Sequence, residues 1–232
     1  ELLAFKFGTT IYSTGVDDQK LTDNGVSFTA NTWRALPVAS LPNTVVWPSL
    51  IGLGQLADGI NDGIDVTTST NPAQPLDDGA TLTGAEVASY LTDGIQGLDL
   101  GTNVTNIPGG TPVRFNLSSA GITPSEVGNA IPDILVSQSA EPSLMGTPDE
   151  LKFVDINNNT VGNVLSLDIT QEPAVGKWSV DFFKMDGSAI DTGDTGTPSN
   201  FVNTERPIHF FAIDIADFGI TTGATGNFTD AA

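Results

Sequence analysis

The sequence has no cysteine and only one histidine, His209, among its 232 residues. These two scarcities exclude disulfide bonds and zinc sites built from histidine and cysteine. Nucleophilic triads also need a histidine beside a serine or cysteine nucleophile. His209 lies in an apolar run that predicts a strand, and no serine stands in a nucleophile-elbow pattern. We therefore interpret His209 as a structural residue.

Basic residues are also scarce. The chain has 8 lysines and arginines against 28 aspartates and glutamates, which gives a formal net charge of −20 at pH 7. Such a chain repels nucleic acid and anionic membrane surfaces, so neither is predicted as a partner. No apolar stretch approaches the roughly 20 residues that a membrane helix needs, so direct membrane insertion is not predicted. The acidity fits either a salt-adapted surface or divalent-cation binding, and composition leaves both open.

Alternating apolar and polar residues dominate the chain, and 25 glycines and 14 prolines supply turns between the alternating runs. Alternation is typical of strands with one buried face. The three clearest runs place apolar residues at Val113, Phe115 and Leu117, at Leu165, Leu167 and Ile169, and at Trp178, Val180 and Phe182. A sheet with one apolar face must bury it against another layer, and the sequence predicts almost no helix that could form this layer. We therefore predict an all-β fold, a β-sandwich or jelly roll with long acidic loops, formed by residues 1–232 as a single domain.

Less regular strands are predicted in eight further segments, and at most one short helix is predicted, over Gly84–Leu91. The segments are Ile11–Ser13, Val26–Thr29, Trp33–Leu36, Val45–Trp47, Ile95–Leu100, Ile134–Ser139, Leu151–Asp155 and Pro207–Ile215. Pro207–Ile215 is apolar on both faces, which favours a central strand. The chain opens directly into the strand-like run Leu2–Phe7. We expect it to be a mature form whose leader has been removed, or an excised segment of a longer protein.

The segment from Gly52 to Gly79 is long, polar and acidic, and a loop of this length is typically functional or ordered by a metal ion. Calcium prefers about six to eight oxygen ligands from loops. The candidate ligands in this segment are Asp58, Asn61, Asp62, Asp65, Asp77 and Asp78. Calcium is thus the predicted cofactor, and an ordinary solvated acidic loop is the alternative. Asp155, Asn157 and Asn159 have a related spacing, but they lack the glycine and closing glutamate of a calcium loop, which favours a plain turn.

Exposed aromatic rings can bind sugars by stacking, and Trp33 and Trp47 are the candidate ligand-binding residues. Packing in the core is the alternative for both. Two suitably spaced carboxylates could hydrolyse a glycoside. With 28 acidic residues, however, such a pair is expected by chance. We therefore predict that the protein is not an enzyme.

Several phrases between about residues 50 and 220 carry a resemblance. They are Gly97–Gly101, Ile107–Phe115, Ile131–Val136, Phe153–Asp155 with Val161–Asn163, and Thr204–Ile220. These phrases resemble a module of the large surface adhesins of gliding Bacteroidetes-type bacteria. The resemblance implies export across the outer membrane and display within a long adhesin or filament. Gly97–Gly101 after an acidic loop is also similar to galactose-binding-like jelly rolls, which often carry a structural calcium. No ligand triad of that group matches residue by residue, so sugar binding is not carried over.

The residues and the resemblance together predict a non-enzymatic structural or adhesive module that is secreted or displayed at the cell surface and stabilised by calcium. Its predicted partners are surface glycans or neighbouring modules of the same protein. Two alternatives stay open. One is a carbohydrate-binding module with Trp33 or Trp47 in the site, and the other is a filament subunit that donates Leu2–Phe7 to the sheet edge of another copy.

Overall fold

A computed structural model of the chain describes residues 1–40, 52–56, 91–101, 103–105, 112–117, 125–138, 148–184, 204–220 and 230–231. Strands make up most of the regular structure in these ranges. They are β1 (Ala4–Phe7), β2 (Thr10–Ser13), β3 (Val38–Ser40), β4 (Gly52–Leu56), β5 (Asn103–Thr105), β6 (Arg114–Asn116), β7 (Ile134–Gln138), β8 (Asp149–Val154), β9 (Thr160–Leu167), β10 (Gly176–Lys184), β11 (Thr204–Ile213) and β12 (Asp230–Ala231). One short helix, α1 (Asp18–Asp23), and two 3-10 turns, Ile95–Gly97 and Ile215–Phe218, accompany them.

The pairings between these strands are antiparallel. β1 and β2 form a two-stranded hairpin. The first five-stranded sheet has the order β5-β4-β10-β11-β7, and the second has the order β3-β6-β12-β8-β9. The described residues are thus mostly strands in antiparallel sheets with very little helix, which confirms the all-β prediction.

β11 lies between β10 and β7, as predicted for a central strand. Its two neighbours pair with different halves of the strand: β10 with residues 204–208 and β7 with residues 209–213. Pro207 pairs with Lys177 of β10, beyond the last residue that β7 covers. Proline has no N–H to donate, so it is normally confined to edge strands. The staggered pairing explains how a central strand contains one.

One hydrophobic cluster includes residues of both five-stranded sheets. Phe153 and Leu167, from β8 and β9 of the second sheet, are buried in it together with Ile213 of β11 in the first sheet. Buried residues that follow β11 complete the cluster: Ile215, Phe218 and Ile220. Burial of side chains this large is the dominant stabilising term in a fold of this size.

The burial of two alternating segments agrees with the sequence. At Leu165–Thr170 the apolar positions are buried or half-buried, and Ser166 and Thr170 are exposed. At Val113–Leu117 the apolar positions are half-buried, and Asn116 is exposed. The third segment lies in β10, so its strand is confirmed, but the side chains of residues 178–184 lie outside what the structure describes.

Four of the less regular predicted strands coincide closely with β2, β7, β8 and β11. The strand predicted at Ile95–Leu100 is wrong. φ is 85° at Gly94, 60° at Gln96 and 74° at Gly97, so the backbone turns back on itself in a 3-10 turn instead of extending.

The strands predicted at Val26–Thr29 and Trp33–Leu36 are also wrong. In the first, Thr29 forms an isolated bridge to Tyr12. The second is irregular, because its backbone N–H groups bond to separate parts of the chain rather than to one partner strand. Val45–Trp47 lies outside the described residues, as does the predicted helix Gly84–Leu91 except for Leu91 itself, which is helical.

Candidate functional site

Trp33 is the candidate ligand-binding residue that the structure describes. Trp47 and all six candidate calcium ligands lie outside the described residues. These ligands are Asp58, Asn61, Asp62, Asp65, Asp77 and Asp78. Trp33 packs with Phe5 of β1 and Tyr12 of β2, and we call these three residues the aromatic cluster.

Phe5 lies at the centre of the aromatic cluster. Its ring meets the ring of Trp33 edge to face, with centroids 5.0 Å apart and an interplanar angle of 86°. The Phe5 ring also stacks on Tyr12, with centroids 5.7 Å apart and an angle of 27°. All three residues are half-buried. Aromatic pairs at these distances stabilise each other by about 0.5–1.5 kcal/mol beyond the area that they bury.

The hairpin of β1 and β2 positions two of the three rings. Gly8, with φ of 57°, begins the two-residue turn between Phe7 and Thr10, where a side chain would strain the backbone. Phe5 and Tyr12 are directly opposed across the two strands, which brings their side chains to the same face of the hairpin.

Two fully buried hydroxyl residues hold Trp33 against this hairpin. The Trp33 backbone N–H donates to the Thr14 carbonyl oxygen at 2.9 Å. The Thr14 hydroxyl lies 2.6 Å from the Leu2 carbonyl oxygen and 3.0 Å from that of Leu3. The Ser13 hydroxyl is bonded to the backbone of Asn31, two residues before Trp33, as both donor and acceptor. Buried hydroxyls that are satisfied in this way fix the backbone around the ring.

The start of the chain is tied to the 3-10 turn at Ile95–Gly97. The Glu1 amino group lies 3.4 Å from Asp99 Oδ1, and Glu1 Oε1 accepts a hydrogen bond from the Ile95 N–H at 3.0 Å. The Leu2 N–H donates to the Leu98 carbonyl oxygen at 2.8 Å. β1 is therefore held on one side by β2 and at its start by this turn, inside its own chain.

The aromatic cluster offers flat, half-exposed apolar surface. Lys6 and Arg34, which follow Phe5 and Trp33 directly in the sequence, are both exposed. Trp33 Nε1 is enclosed, and it finds no hydrogen-bond partner among the residues that the structure describes. A half-exposed ring can stack on a sugar or another apolar plate, but an enclosed indole N–H cannot reach a ligand without movement. The described contacts of Trp33 are packing contacts, which fit the alternative that the sequence left open, and ligand binding at Trp33 stays a prediction.

His209 is buried, with 3% of its surface exposed, and lies opposite Gln138 in the pairing of β11 with β7. Its Nδ1 is 2.9 Å from the Glu172 carbonyl oxygen, in the turn that follows β9. The ring thereby connects the first sheet to the chain leaving the second. This geometry agrees with the structural role predicted from the sequence.

Three carboxylates accept hydrogen bonds from the backbone at the end of β11, where sequence reasoning identified no site. Asp217, Asp133 and Asp214 accept hydrogen bonds from the consecutive N–H groups of residues 214, 215 and 216, at 2.9, 2.9 and 2.8 Å. Burial raises the pKa of Asp133 from 3.8 to about 6; the Ile215 N–H opposes this rise, and the charges of Asp214, Glu126 and Asp217 add to it. The available signal in the sequence was an aspartate directly before β7, Asp133, and one directly after β11, Asp214. With 28 acidic residues in the chain, such positions do not stand out.

Asp155 closes the turn between β8 and β9. Its Oδ1 accepts from the N–H groups of Asn157 and Asn159, both at 2.8 Å, and its Oδ2 accepts from the Asn159 side chain at 2.9 Å. These bonds, the Asn159 side chain first, hold the pKa of Asp155 below its usual value. The segment is a hairpin turn, as predicted.

Within the described ranges, no three histidine, cysteine, aspartate or glutamate side chains come together in a way that could hold a metal ion. Among the helices of the same ranges, none combines the length and the apolar character needed to cross a membrane. Comparison with known proteins adds no family: no protein-family model, no curated protein and no solved structure matches the chain.

Proposed function

We propose that the protein is a non-enzymatic structural or adhesive module of a bacterial cell-surface or extracellular protein. Its two five-stranded sheets would close over one core as a β-sandwich of the jelly-roll kind. The hydrophobic cluster supports this architecture, because Phe153 of the second sheet and Ile213 of the first are buried in the same cluster. Glycans of a surface, or neighbouring modules of the same protein, are the proposed partners.

The observation that carries this proposal is how the described carboxylates are used. Asp17 accepts from the Lys20 N–H at 2.9 Å at the start of α1, and Asp168 accepts from the Thr170 N–H at 2.9 Å. Asp155 and Asp214 close their own turns in the same way. Acids of this kind cap turns and present a charged surface. That use supports a stable display module more than a reaction centre.

Attachment under flow tests the proposal. Beads that carry the folded chain should be retained on surfaces coated with bacterial surface glycans or with the chain itself. The control is a bead that carries an unrelated protein of similar negative charge. Retention no higher than this control on every surface, or turnover of a glycoside substrate by the chain, would contradict the proposal.

Calcium belongs to the same proposal. The support is in the sequence: Asp58–Asp65 supplies four oxygen-bearing side chains with two interspersed glycines, and Asp77 and Asp78 follow. An ion that binds only the folded state raises the unfolding temperature as its concentration exceeds the dissociation constant. Ca²⁺ should therefore raise the unfolding midpoint of the EDTA-treated protein, and Mg²⁺ should raise it less.

A pair of double variants separates a calcium site from general charge screening. Asp62→Asn with Asp65→Asn should abolish the Ca²⁺ effect. Asp23→Asn with Glu150→Gln removes the same charge from two exposed positions of α1 and β8, and should leave the effect intact. An equal loss in both double variants, or no Ca²⁺ effect in the unmodified chain, would remove calcium from the proposal.

Carbohydrate binding at Trp33 is the second candidate function. It is favoured by one observation: the three rings of the aromatic cluster, two on the hairpin and one packed against it, are each half-exposed. A glycan array with the unmodified chain and Trp33→Ala tests it, with Tyr12→Phe as a control that keeps the ring and removes the hydroxyl. Binding that Trp33→Ala abolishes and Tyr12→Phe retains would support the idea, and a blank array would dispose of it.

A further inference from the structure

His209 and Gln138 each contribute a buried polar atom with no hydrogen-bond partner among the described residues. The atoms are His209 Nε2 and Gln138 Oε1. The two residues are directly opposed in the pairing of β11 with β7. Opposed residues of an antiparallel pair project from the same face with Cβ atoms about 4.5–5.5 Å apart. The two unpartnered atoms thus belong to neighbouring side chains of one sheet face.

The bonds on the other side of each group make both atoms acceptors when the imidazole is neutral. The Glu172 carbonyl oxygen can only accept, so His209 Nδ1 carries the proton that joins them at 2.9 Å. In a neutral imidazole this leaves Nε2 with a lone pair. Gln138 Nε2 donates to the Asp149 carboxylate, and a flipped amide would set oxygen against oxygen there. Its Oε1 is therefore the acceptor that remains.

Two neighbouring acceptors cannot satisfy each other. Leaving a buried acceptor without a donor costs the full desolvation free energy of that group, so native structures rarely tolerate two side by side. A group that satisfies both atoms must supply two protons, one to each lone pair. A water molecule does so, and buried waters typically make about 3 hydrogen bonds to groups of this kind.

We propose that His209 and Gln138 form a binding site for one ordered water molecule, which donates to His209 Nε2 and to Gln138 Oε1. The site lies where both side chains also reach the second sheet and its continuation, through Asp149 of β8 and Glu172 after β9. The water completes a polar connection between the two sheets at one end of the β7–β11 pair. This inference is independent of the proposed function.

A divalent transition metal is the rival occupant, because imidazole nitrogen and amide oxygen also bind cations. Transition-metal sites normally use three or four protein ligands. His209 Nε2 and Gln138 Oε1 provide two lone pairs here. Asp149 is engaged with Gln138 Nε2. The arrangement favours water over a metal.

Nitrogen NMR of the imidazole gives the first test. The chain has one histidine, so its two ring nitrogen signals need no residue assignment, and their couplings to the ring C–H protons distinguish Nδ1 from Nε2. At neutral pH the proton should reside on Nδ1, and Nε2 should show the shift of a hydrogen-bonded acceptor. A proton on Nε2 would overturn the proposal. The proposal would also be overturned by a combined result for Zn²⁺ and a chelator. In that result, Zn²⁺ moves the Nε2 signal to a metal-bound position and the chelator lowers the unfolding midpoint.

Water relaxation dispersion gives the second test, by counting water molecules with long residence times. Gln138→Met keeps the length of the side chain and removes its oxygen, so the count should fall by one. Asp149→Asn is the matched control, since it removes a charge while an acceptor for Gln138 Nε2 remains, and its count should equal that of the unmodified chain. An equal count in Gln138→Met, or no long-lived water in the unmodified chain, would overturn the proposal.

Discussion

The Phe153 and Phe218 rings meet edge to face, with centroids 4.5 Å apart and an interplanar angle of 70°. Both residues have no exposed surface. Phe153 belongs to β8 of the second sheet, and Phe218 ends the 3-10 turn that continues from β11 of the first. The contact therefore connects the second sheet to the chain that leaves the first.

Phe218→Ala should lower the free energy of unfolding by about 3–5 kcal/mol, because it leaves a cavity in a packed core and removes the ring contact. Urea unfolding measures the change. Ile156→Ala is the control, since Ile156 is 81% exposed at the tip of the turn between β8 and β9. It should change the free energy by no more than about 0.5 kcal/mol. Similar losses in the two variants would contradict the burial of Phe218.

Gly162 in β9 should not tolerate a side chain. Its φ is 76°, and a Cβ placed there would overlap the Phe218 carbonyl oxygen. Gly162→Ala should therefore destabilise the fold by more than the roughly 1–2 kcal/mol that left-handed backbone costs an ordinary residue. Gly176→Ala is the matched control in β10, where a Cβ meets nothing within 4 Å. If Gly162→Ala is as stable as this control, β9 and the 3-10 turn do not lie against each other as described.

Thr14→Val should destabilise the hairpin that carries the aromatic cluster. The substitution keeps the shape of a fully buried side chain and removes the hydroxyl that bonds to Leu2 and Leu3, so a loss of about 1–3 kcal/mol is expected. Thr22→Val removes an exposed hydroxyl that bonds to the Asp18 carbonyl oxygen, and should cost less. Thermal unfolding gives the stabilities of both variants. Equal stability of the two variants would contradict the network around Thr14.

The Asp133 carboxyl predicts a specific dependence of stability on pH. Its pKa is raised to about 6 in the folded chain, so the folded state holds the proton more tightly than the unfolded state does. The stability that this proton contributes is fully present below about pH 4 and is lost as the pH rises through about 6. Asp133→Asn keeps an oxygen for the Ile215 N–H and cannot ionise. Its stability relative to the unmodified chain should therefore rise between these pH values.

Glu150→Gln is the charge-matched control for Asp133→Asn, because Glu150 is exposed in β8. It reports how the loss of one negative charge affects a chain with a net charge of −20. Parallel stability curves for the unmodified chain and Asp133→Asn from pH 4 to 7 would mean that burial does not raise the pKa of Asp133.

Alternation predicted strands correctly where one face of the strand is buried. Leu165, Leu167 and Ile169 face the core because side chains of a strand project alternately, and this depends on local sequence alone. The same rule failed at Ile95–Leu100, where leucines alternate but the backbone is set by positive φ at Gly94, Gln96 and Gly97. The two glycines were the available signal. The positive φ of a glutamine was not predictable from composition.

Most of the features that the sequence did not predict depend on contacts between residues that are far apart in the chain. The contact of Phe5 with Trp33 joins residues from separate segments, and the Glu172 carbonyl that receives His209 is 37 residues away in the chain. Periodicity identified His209 as structural but could not name its partner. The staggered pairing of β11, which accommodates Pro207, also depends on where β7 and β10 end rather than on any pattern within β11.

Native-state hydrogen exchange tests most directly whether the two sheets share one core. Amides of Leu151 and Leu165 report the second sheet, and amides of Val136 and Ile213 report the first. Those that are hydrogen-bonded in the ladders should open with one common free energy and one common dependence on denaturant, equal to those of global unfolding. If the amides of one sheet open at a clearly lower free energy while the other sheet stays protected, the sheets do not close over a common core and the proposed sandwich is wrong.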